Sequence, residues 1–161
     1  LRPTSDKTRK AVFDMLRGGT ESAHVLDLFS GTGALGIEAL SCGAAFAVFV
    51  EIERAQARAI QENLKKLGLH DQAEVLVADA VAAIGRFTNE ERKFDLVLMD
   101  PPYEEGLGAK ALAALAQSKI LSKGALIVFE CRGSETLPNM DNLERVKDKV
   151  YGDTRIVIYR A

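Results

Sequence analysis

The chain has 161 residues, of which 47% are hydrophobic and 27% are charged, and its formal net charge is −2. A chain of this length fits one domain, and the composition is that of a folded globular protein. No apolar run approaches the roughly 20 residues of a membrane-spanning helix, and no secretory leader is recognisable. We therefore expect one domain over residues 1–161, a cytoplasmic location, no membrane partner and a monomeric state.

Cysteines and histidines give no indication of a disulfide or a metal site. Cys42 and Cys131 form no C-x-x-C pair and are expected to be small, buried, apolar residues. His24 and His70 lack cysteine or carboxylate partners at ligand spacing, so no metal is expected. The small net charge also gives no global indication of nucleic-acid binding, which would require a local basic patch.

The predicted elements begin with a helix in residues 1–17, which Thr4 or Ser5 can cap and which Gly18-Gly19 ends. Apolar runs then alternate with helical patterns, which predicts a parallel sheet with helices on both faces. The predicted strands are 25–29, 45–50, 73–77, 94–99 and 125–130, and the helices between them are 33–42, 53–67, 80–87 and 108–117.

The last thirty residues break this alternation. Residues 143–151 and 154–159 are predicted strands, joined by Gly152-Asp153 as a two-residue hairpin turn. The expected fold class is therefore α/β: a doubly wound, Rossmann-like, mostly parallel seven-stranded sheet with a C-terminal antiparallel hairpin.

A glycine-rich turn follows the first predicted strand, where residues 27–36 read D-L-F-S-G-T-G-A-L-G. Its glycines match G-x-G-x-x-G, which permits a tight turn, close approach of the backbone to a ligand, and close helix–strand packing. Glycines needed only for packing are the alternative, but the position between a strand and a helix favours a nucleotide-like ligand.

Carboxylates follow three further strands of the predicted sheet. Glu51 ends the second strand, twenty residues after Gly31, where an acid can accept hydrogen bonds from ribose hydroxyls. Asp79 follows the third strand, where it can also cap the next helix. Asp100 follows the fourth strand. Because the carboxyl ends of such strands line one crevice, we expect these acids to converge on one site.

The tetrapeptide Asp100-Pro101-Pro102-Tyr103 forms a rigid corner at the end of the fourth strand. Proline has no N–H and a fixed φ, so two in succession end the strand and stiffen its exit. A carboxylate, backbone carbonyls and an aromatic ring then lie near one point, which suits a flat, amine-bearing group.

Asp27 helps to decide between two candidate nucleotide-like ligands, a dinucleotide and S-adenosylmethionine. A dinucleotide would place its pyrophosphate at the first helix N-terminus, close to this acid, whereas S-adenosylmethionine carries an ammonium group and no phosphate. The acid therefore favours S-adenosylmethionine over NAD.

Together, D-x-F-S-G-T-G, the strand-end acids and D-P-P-Y resemble class I S-adenosylmethionine-dependent methyltransferases of the amino-methylating branch. The opening R-P-T at 2–4, with R-K at 9–10 and V-F-D-M-L at 12–16, is more specific. It is similar to the bacterial RsmD-type 16S rRNA guanine-N2 methyltransferases, and the similarity covers nearly the whole chain. The resemblance implies the class I methyltransferase fold, S-adenosylmethionine as cofactor, and 16S rRNA or an assembling small ribosomal subunit as partner.

The same resemblance assigns roles to residues. The cofactor's methionine end would lie at Asp27, Phe29, Ser30, Gly31 and Gly33. Its ribose would lie at Glu51, and its adenine at Ile52, Asp79 and Ala80. The catalytic pocket for the target base would consist of Asp100, Pro101, Pro102 and Tyr103. The expected RNA contacts are Arg2, Thr4, Lys7, Arg9 and Lys10, for which a solvated helix face is the alternative.

Three other functions remain open from the sequence. A methyltransferase could act on another planar amine, such as adenine, cytosine or a protein glutamine; many of those relatives carry Asn in place of Asp100 or an extra recognition domain. An NAD-dependent oxidoreductase is disfavoured by Asp27. A nucleotide-binding module without enzymatic activity is the last alternative.

Overall fold

A computed structural model describes residues 5–103, 106–137 and 139–161, so the predicted RNA contacts Arg2 and Thr4 lie outside the described residues. The strands are β1 (His24–Asp27), β2 (Phe46–Glu51), β3 (Ala73–Val77), β4 (Phe94–Met99), β5 (Leu121–Arg132), β6 (Glu144–Tyr151) and β7 (Thr154–Arg160). The helices are α1 (Asp6–Leu16), α2 (Ala34–Ser41), α3 (Arg54–Lys66), α4 (Ala80–Asn89) and α5 (Leu107–Gln117).

All seven strands form one sheet in the order β3-β2-β1-β4-β5-β7-β6. Strands β1 to β5 are parallel, and β7 lies antiparallel between β5 and β6. The predicted fold class is therefore confirmed. The strand order reverses between β1 and β4, and ligands of open α/β sheets bind at the carboxyl ends beside such a switch point.

Two apolar layers cover the sheet. Helices α4 and α5 pack on one face through residues such as Phe87 and Leu112. Helices α1, α2 and α3 pack on the other through residues such as Val12 and Ile60. Because both faces are covered, the central strands are almost continuously buried, and their carboxyl ends hold the polar residues. None of the helices in the described ranges is long and apolar enough to cross a bilayer.

Two sequence-based expectations need correction. Strand β5 begins at Leu121, earlier than the predicted 125, because Leu121 pairs with Phe94 before a shift in register. The polar Ser122-Lys123-Gly124 hides this extension in the sequence. The expectation that Cys42 is buried is wrong: it is exposed at the end of α2, with its Sγ atom 3.6 Å from Glu38 Oε2, whereas Cys131 is buried.

Candidate functional site

A cavity of about 500 Å³ opens at the carboxyl edge of the sheet. It is bounded by the residues that follow β1, β2, β3 and β4. The predicted site residues that line it are Phe29, Gly31, Glu51, Ile52, Asp79, Ala80, Asp100, Pro101 and Pro102. Four sequence-distant segments are thus brought together, as expected from the position of each segment after its strand.

The glycine-rich turn joins β1 to α2 through a left-handed residue. Gly33 has φ of 82° and precedes the first residue of α2, and its N–H donates to the Ser30 carbonyl oxygen at 2.7 Å. Gly36 lies against β2, where a Cβ atom would stand 2.4 Å from Cε2 of the buried Phe49. Both glycines are therefore required by the backbone path and the close packing of α2.

Asp27 lies beneath this turn, is 1% exposed and is not among the residues that line the cavity. Its Oδ2 accepts a hydrogen bond from the Gly36 N–H at 3.1 Å. Burial, with smaller contributions from the charges of Asp100 and Glu51, raises the pKa of Asp27 to about 7, although the hydrogen bond from Gly36 lowers it in part. This edge of the sheet is therefore acidic, and a bound cation would relieve the repulsion.

Glu51 lines the cavity and also accepts hydrogen bonds from the loops that follow β1 and β2. It is 7% exposed, and its Oε1 and Oε2 atoms accept from the N–H groups of Gly31 at 3.0 Å and Glu53 at 2.7 Å. Carboxylate oxygens have further lone pairs, so these bonds leave capacity for hydroxyl donors. The adjacent Ile52 is 63% exposed and presents apolar surface to the cavity.

Asp79 caps a helix and also lines the cavity. Its side chain caps α4, with Oδ2 accepting from the Ala82 N–H at 3.0 Å. It also lines the cavity together with Ala80, the first residue of that helix. The capping alternative is thus realised, and it leaves the carboxylate facing the cavity.

The corner at residues 100–103 is supported by α5 and β5. Asp100 is half-buried and Pro101 is buried. A Cβ atom on Gly108 of α5 would lie 2.8 Å from Pro101 Cγ and 2.5 Å from Phe129 Cζ, so only glycine allows α5 to approach this closely. The tertiary fold, as well as the two prolines, fixes the corner.

Tyr103 does not line the main cavity and lies beside the end of β5. The guanidinium carbon of Arg132 lies 4.7 Å from the centroid of its ring, within the range of a cation–π contact. Tyr103 and Arg132 both border an open cleft next to the β6–β7 turn. Arg132 was missed by the sequence analysis because no motif marks it, and its contact depends on tertiary structure.

Glu130 was also missed. It is 2% exposed near the end of β5 and borders a small pocket with the corner residues Pro101 and Pro102. An acid at the end of another strand was the signal that could have drawn attention to it.

The predicted RNA contacts on α1 differ in whether their charge is paired within the protein. Arg9 pairs with Asp6 at 2.7 Å and approaches Glu38 at 3.7 Å, so its charge is largely committed within the protein. Lys7 and Lys10 instead border an open groove between α1 and β6.

A seven-stranded sheet with β7 inserted antiparallel, and with its cavity at the carboxyl ends of β1 to β4, is the fold of the class I methyltransferases. An RNA methyltransferase from Salinibacter ruber, solved with S-adenosyl-L-homocysteine, shares this fold with a TM-score of 0.75 at 18% identity, covering 99% of this chain and 93% of that one. A conserved hypothetical protein of Streptococcus pyogenes superposes with a TM-score of 0.84 at 35% identity, covering 94% of each chain.

The model of the family described as "Conserved hypothetical protein 95" matches residues 1–160, and the chain belongs to this family. It is 33% identical over 161 residues to "Ribosomal RNA small subunit methyltransferase D" of Haemophilus influenzae, covering 99% of this chain and 81% of that protein. The predicted resemblance to the RsmD-type family is confirmed.

Proposed function

We propose that this protein, as one cytoplasmic domain, transfers a methyl group from S-adenosylmethionine to the exocyclic N2 amine of a guanine in 16S rRNA. The observation that carries the proposal is the convergence of the acid–Pro–Pro corner with Glu51 and Asp79 on one cavity. Membership of a family with relatives named small-subunit rRNA methyltransferases supports the substrate class.

The residues around the cavity fit S-adenosylmethionine. Glu51 can accept hydrogen bonds from both ribose hydroxyls, and the exposed Ile52 can cover the adenine ring, whose amino group would donate to Asp79. The buried Asp27 and the neighbouring Glu51 favour a cationic ligand and would repel a pyrophosphate. When bound, the cofactor supplies an electrophilic methyl group on a positively charged sulfur.

The corner would orient the amine. The Asp100 carboxylate and the Pro101 carbonyl oxygen would accept hydrogen bonds from its two N–H groups, which would direct the nitrogen lone pair toward the cofactor and stabilise the positive charge that grows on nitrogen. After the methyl transfer, this nitrogen would release one proton to water. The Tyr103 ring borders the neighbouring cleft and not the main cavity, so it would stack on the part of the base that reaches this cleft, a contact worth roughly 1–3 kcal/mol. Enzymes that modify a base inside a duplex must extrude it, so the target would be unpaired or extruded.

Asp100→Asn tests this role with little change in shape. The amide replaces one acceptor with a donor that faces the amine, so we expect the rate of methyl transfer to fall by roughly 10²–10³-fold, as when one transition-state hydrogen bond is lost. Calorimetry should show unchanged affinity for S-adenosylhomocysteine. Asp71→Asn, an exposed acid before β3, is the matched control.

The substrate assignment is tested by mass spectrometry of 16S rRNA from cells with and without the gene. The proposal predicts that one N2-methylguanine disappears with the gene and returns when wild-type protein, but not Asp100→Asn, is supplied. An unchanged rRNA, or loss of a methylated adenine or cytosine instead, would refute the guanine assignment.

A further inference from the structure

A basic groove lies between α1 and the edge strand β6, apart from the main cavity. Its volume is about 360 Å³, and its charged lining residues are Lys7, Lys10, Asp14, Lys147 and Lys149. The lysines come from opposite ends of the chain, so the fold concentrates positive charge on a protein whose formal net charge is −2. Such local patches attract polyanions.

Residues 147–149 of the edge strand β6 alternate between the two faces of the sheet. Lys147 and Lys149 pair in the sheet with Ile158 and Ile156, which belong to the core on the α1 face. Asp148 pairs with Val157, which belongs to the opposite core. The cations of this segment therefore face the groove, whereas its carboxylate faces away.

Asp148 is neutralised on that opposite face. Its Oδ1 and Oδ2 atoms accept from Arg155 Nε at 2.8 Å and Arg155 Nη2 at 2.6 Å. These hydrogen bonds hold the pKa of Asp148 below its usual range. The acid between the two lysines consequently does not offset the charge in the groove.

The groove lysines differ in how far they are committed within the protein. Lys10 pairs with Asp14 at 2.8 Å, and Lys147 donates to the Met15 carbonyl oxygen at 3.0 Å. Among the described residues, Lys7 and Lys149 have neither a hydrogen bond nor an ion pair through Nζ. No contact with a described residue explains why these two exposed ammonium groups line the same groove.

One end of the groove lies at the same edge of the sheet as the corner at residues 100–103. Thr154, directly after the β6–β7 turn, pairs with Arg132 at the carboxyl end of β5, so the groove residue Tyr151 also lies at this edge. Three strand spacings separate β4 from β6 in the sheet, or about 14 Å at about 4.8 Å each. A short segment of single-stranded RNA can cover that distance.

We propose that the α1–β6 groove binds backbone phosphates of the RNA segment that flanks the target base, with Lys7 and Lys149 as the principal contacts. Tyr151, half-buried at the end of the groove, offers a ring on which an unpaired base can stack. This inference rests on the proposed function, because the rRNA substrate selects RNA over other polyanions. It adds Lys147, Lys149 and Tyr151 to the contacts that the sequence predicted on α1.

The test measures binding of an unmodified 16S rRNA transcript as a function of salt. Each phosphate contact contributes about 0.7 to the slope of log K against log salt for single strands. Lys149→Gln should therefore lower the slope by about 0.7 and weaken binding about fivefold near 0.1 M salt. The double variant Lys7→Gln/Lys149→Gln should show twice this change in slope. The single variant Lys149→Arg keeps the positive charge and should have the wild-type slope.

Lys119→Gln/Lys123→Gln is the matched control, because these exposed lysines lie at the other edge of the sheet, before or at the start of β5. It should bind RNA as the wild type does. All variants should keep the wild-type affinity for S-adenosylhomocysteine, and the groove variants should raise KM for RNA with little change in kcat.

Three outcomes would overturn the inference. If wild-type protein methylates the transcript and Lys7→Gln/Lys149→Gln keeps its salt slope, the groove assignment fails while the proposed function stands. If the same variant loses only binding to phosphatidylserine vesicles, the groove is a membrane site. If wild-type protein binds S-adenosylhomocysteine but neither binds nor methylates the 16S rRNA, either as the transcript or within unmodified small ribosomal subunits, the proposed function fails together with the inference.

Discussion

The two sides of the cavity are stabilised in different ways. On the cofactor side, the carboxylates of Asp27, Glu51 and Asp79 each accept a backbone N–H from their own or a neighbouring turn. On the target side, residues 100–103 depend on packing against α5 and β5. Backbone hydrogen bonds at neighbouring strand ends therefore support the first side, and packing against α5 and β5 supports the second. We expect cofactor binding to tolerate changes that disturb positioning of the base.

Asp27→Asn probes the cofactor side and should give the largest effect. The unfolded-state carboxyl ionises near its model value of 3.8, whereas in the folded protein the pKa of Asp27 is about 7. Between these values the folded state holds the extra proton, so wild-type stability falls as pH rises from about 4 to 7. At about 1.4 kcal/mol per pKa unit, the loss reaches up to roughly 4 kcal/mol.

The asparagine variant lacks this titration. We expect urea unfolding between about pH 4 and pH 8 to show this. As pH rises, the free energy of unfolding of Asp27→Asn should increase relative to that of the wild type by up to roughly 4 kcal/mol. Asp71→Asn, which removes an exposed carboxyl, should give a curve parallel to that of the wild type. If the Asp27→Asn curve also ran parallel to the wild type, the buried carboxyl would not carry the predicted proton.

A matched pair of glycine substitutions tests the comparison directly. Gly108→Ala places a Cβ atom 2.8 Å from Pro101 Cγ and 2.5 Å from Phe129 Cζ, so α5 or the corner must shift. A misplacement of about 1 Å costs roughly 100-fold in rate, and we expect kcat for RNA methylation to fall by about this factor. Affinity for S-adenosylhomocysteine should change little, because the opposite side of the cavity is untouched.

Gly36→Ala is the counterpart on the cofactor side, with a Cβ atom 2.4 Å from Phe49 Cε2. Overpacking of this kind lowers the free energy of unfolding by roughly 1–3 kcal/mol. Because the shift would displace the glycine-rich turn before α2, calorimetry should show weaker cofactor binding. Gly85→Ala is the control, because no atom lies within 4 Å of a Cβ there. Equal losses of cofactor affinity in the Gly36 and Gly108 variants would show that the two sides act as one unit.

The same difference explains what the sequence could predict. Glu51, Asp79 and Asp100 each follow a strand closely, so a correct alternation of elements was enough to place them at one edge. The contact of Gly108 with Pro101 could not be predicted, because it depends on how α5 lies on β5. Lys149 was missed for a similar reason: only the pairing of β6 with β7 shows that it faces α1.

Arg132→Gln tests the remaining contact on the target side and should have the smallest effect. An exposed cation–π pair is worth about 0.5–1 kcal/mol, and the Arg132 guanidinium covers one side of the Tyr103 ring. If this contact holds the ring for stacking on the target base, its loss should lower kcat/KM for RNA about two- to fivefold.

Arg132→Lys keeps a cation over the ring and should recover part of the activity, whereas Arg160→Gln, at the far end of β7, should behave as wild type. The melting temperature and the affinity for S-adenosylhomocysteine should not change in either Arg132 variant. A loss of stability parallel to the loss of activity would instead mean that Arg132 supports the fold. Tyr103 lies outside the main cavity. Lower activity with unchanged stability and unchanged cofactor affinity would therefore place the stacking contact in the cleft beside the end of β5.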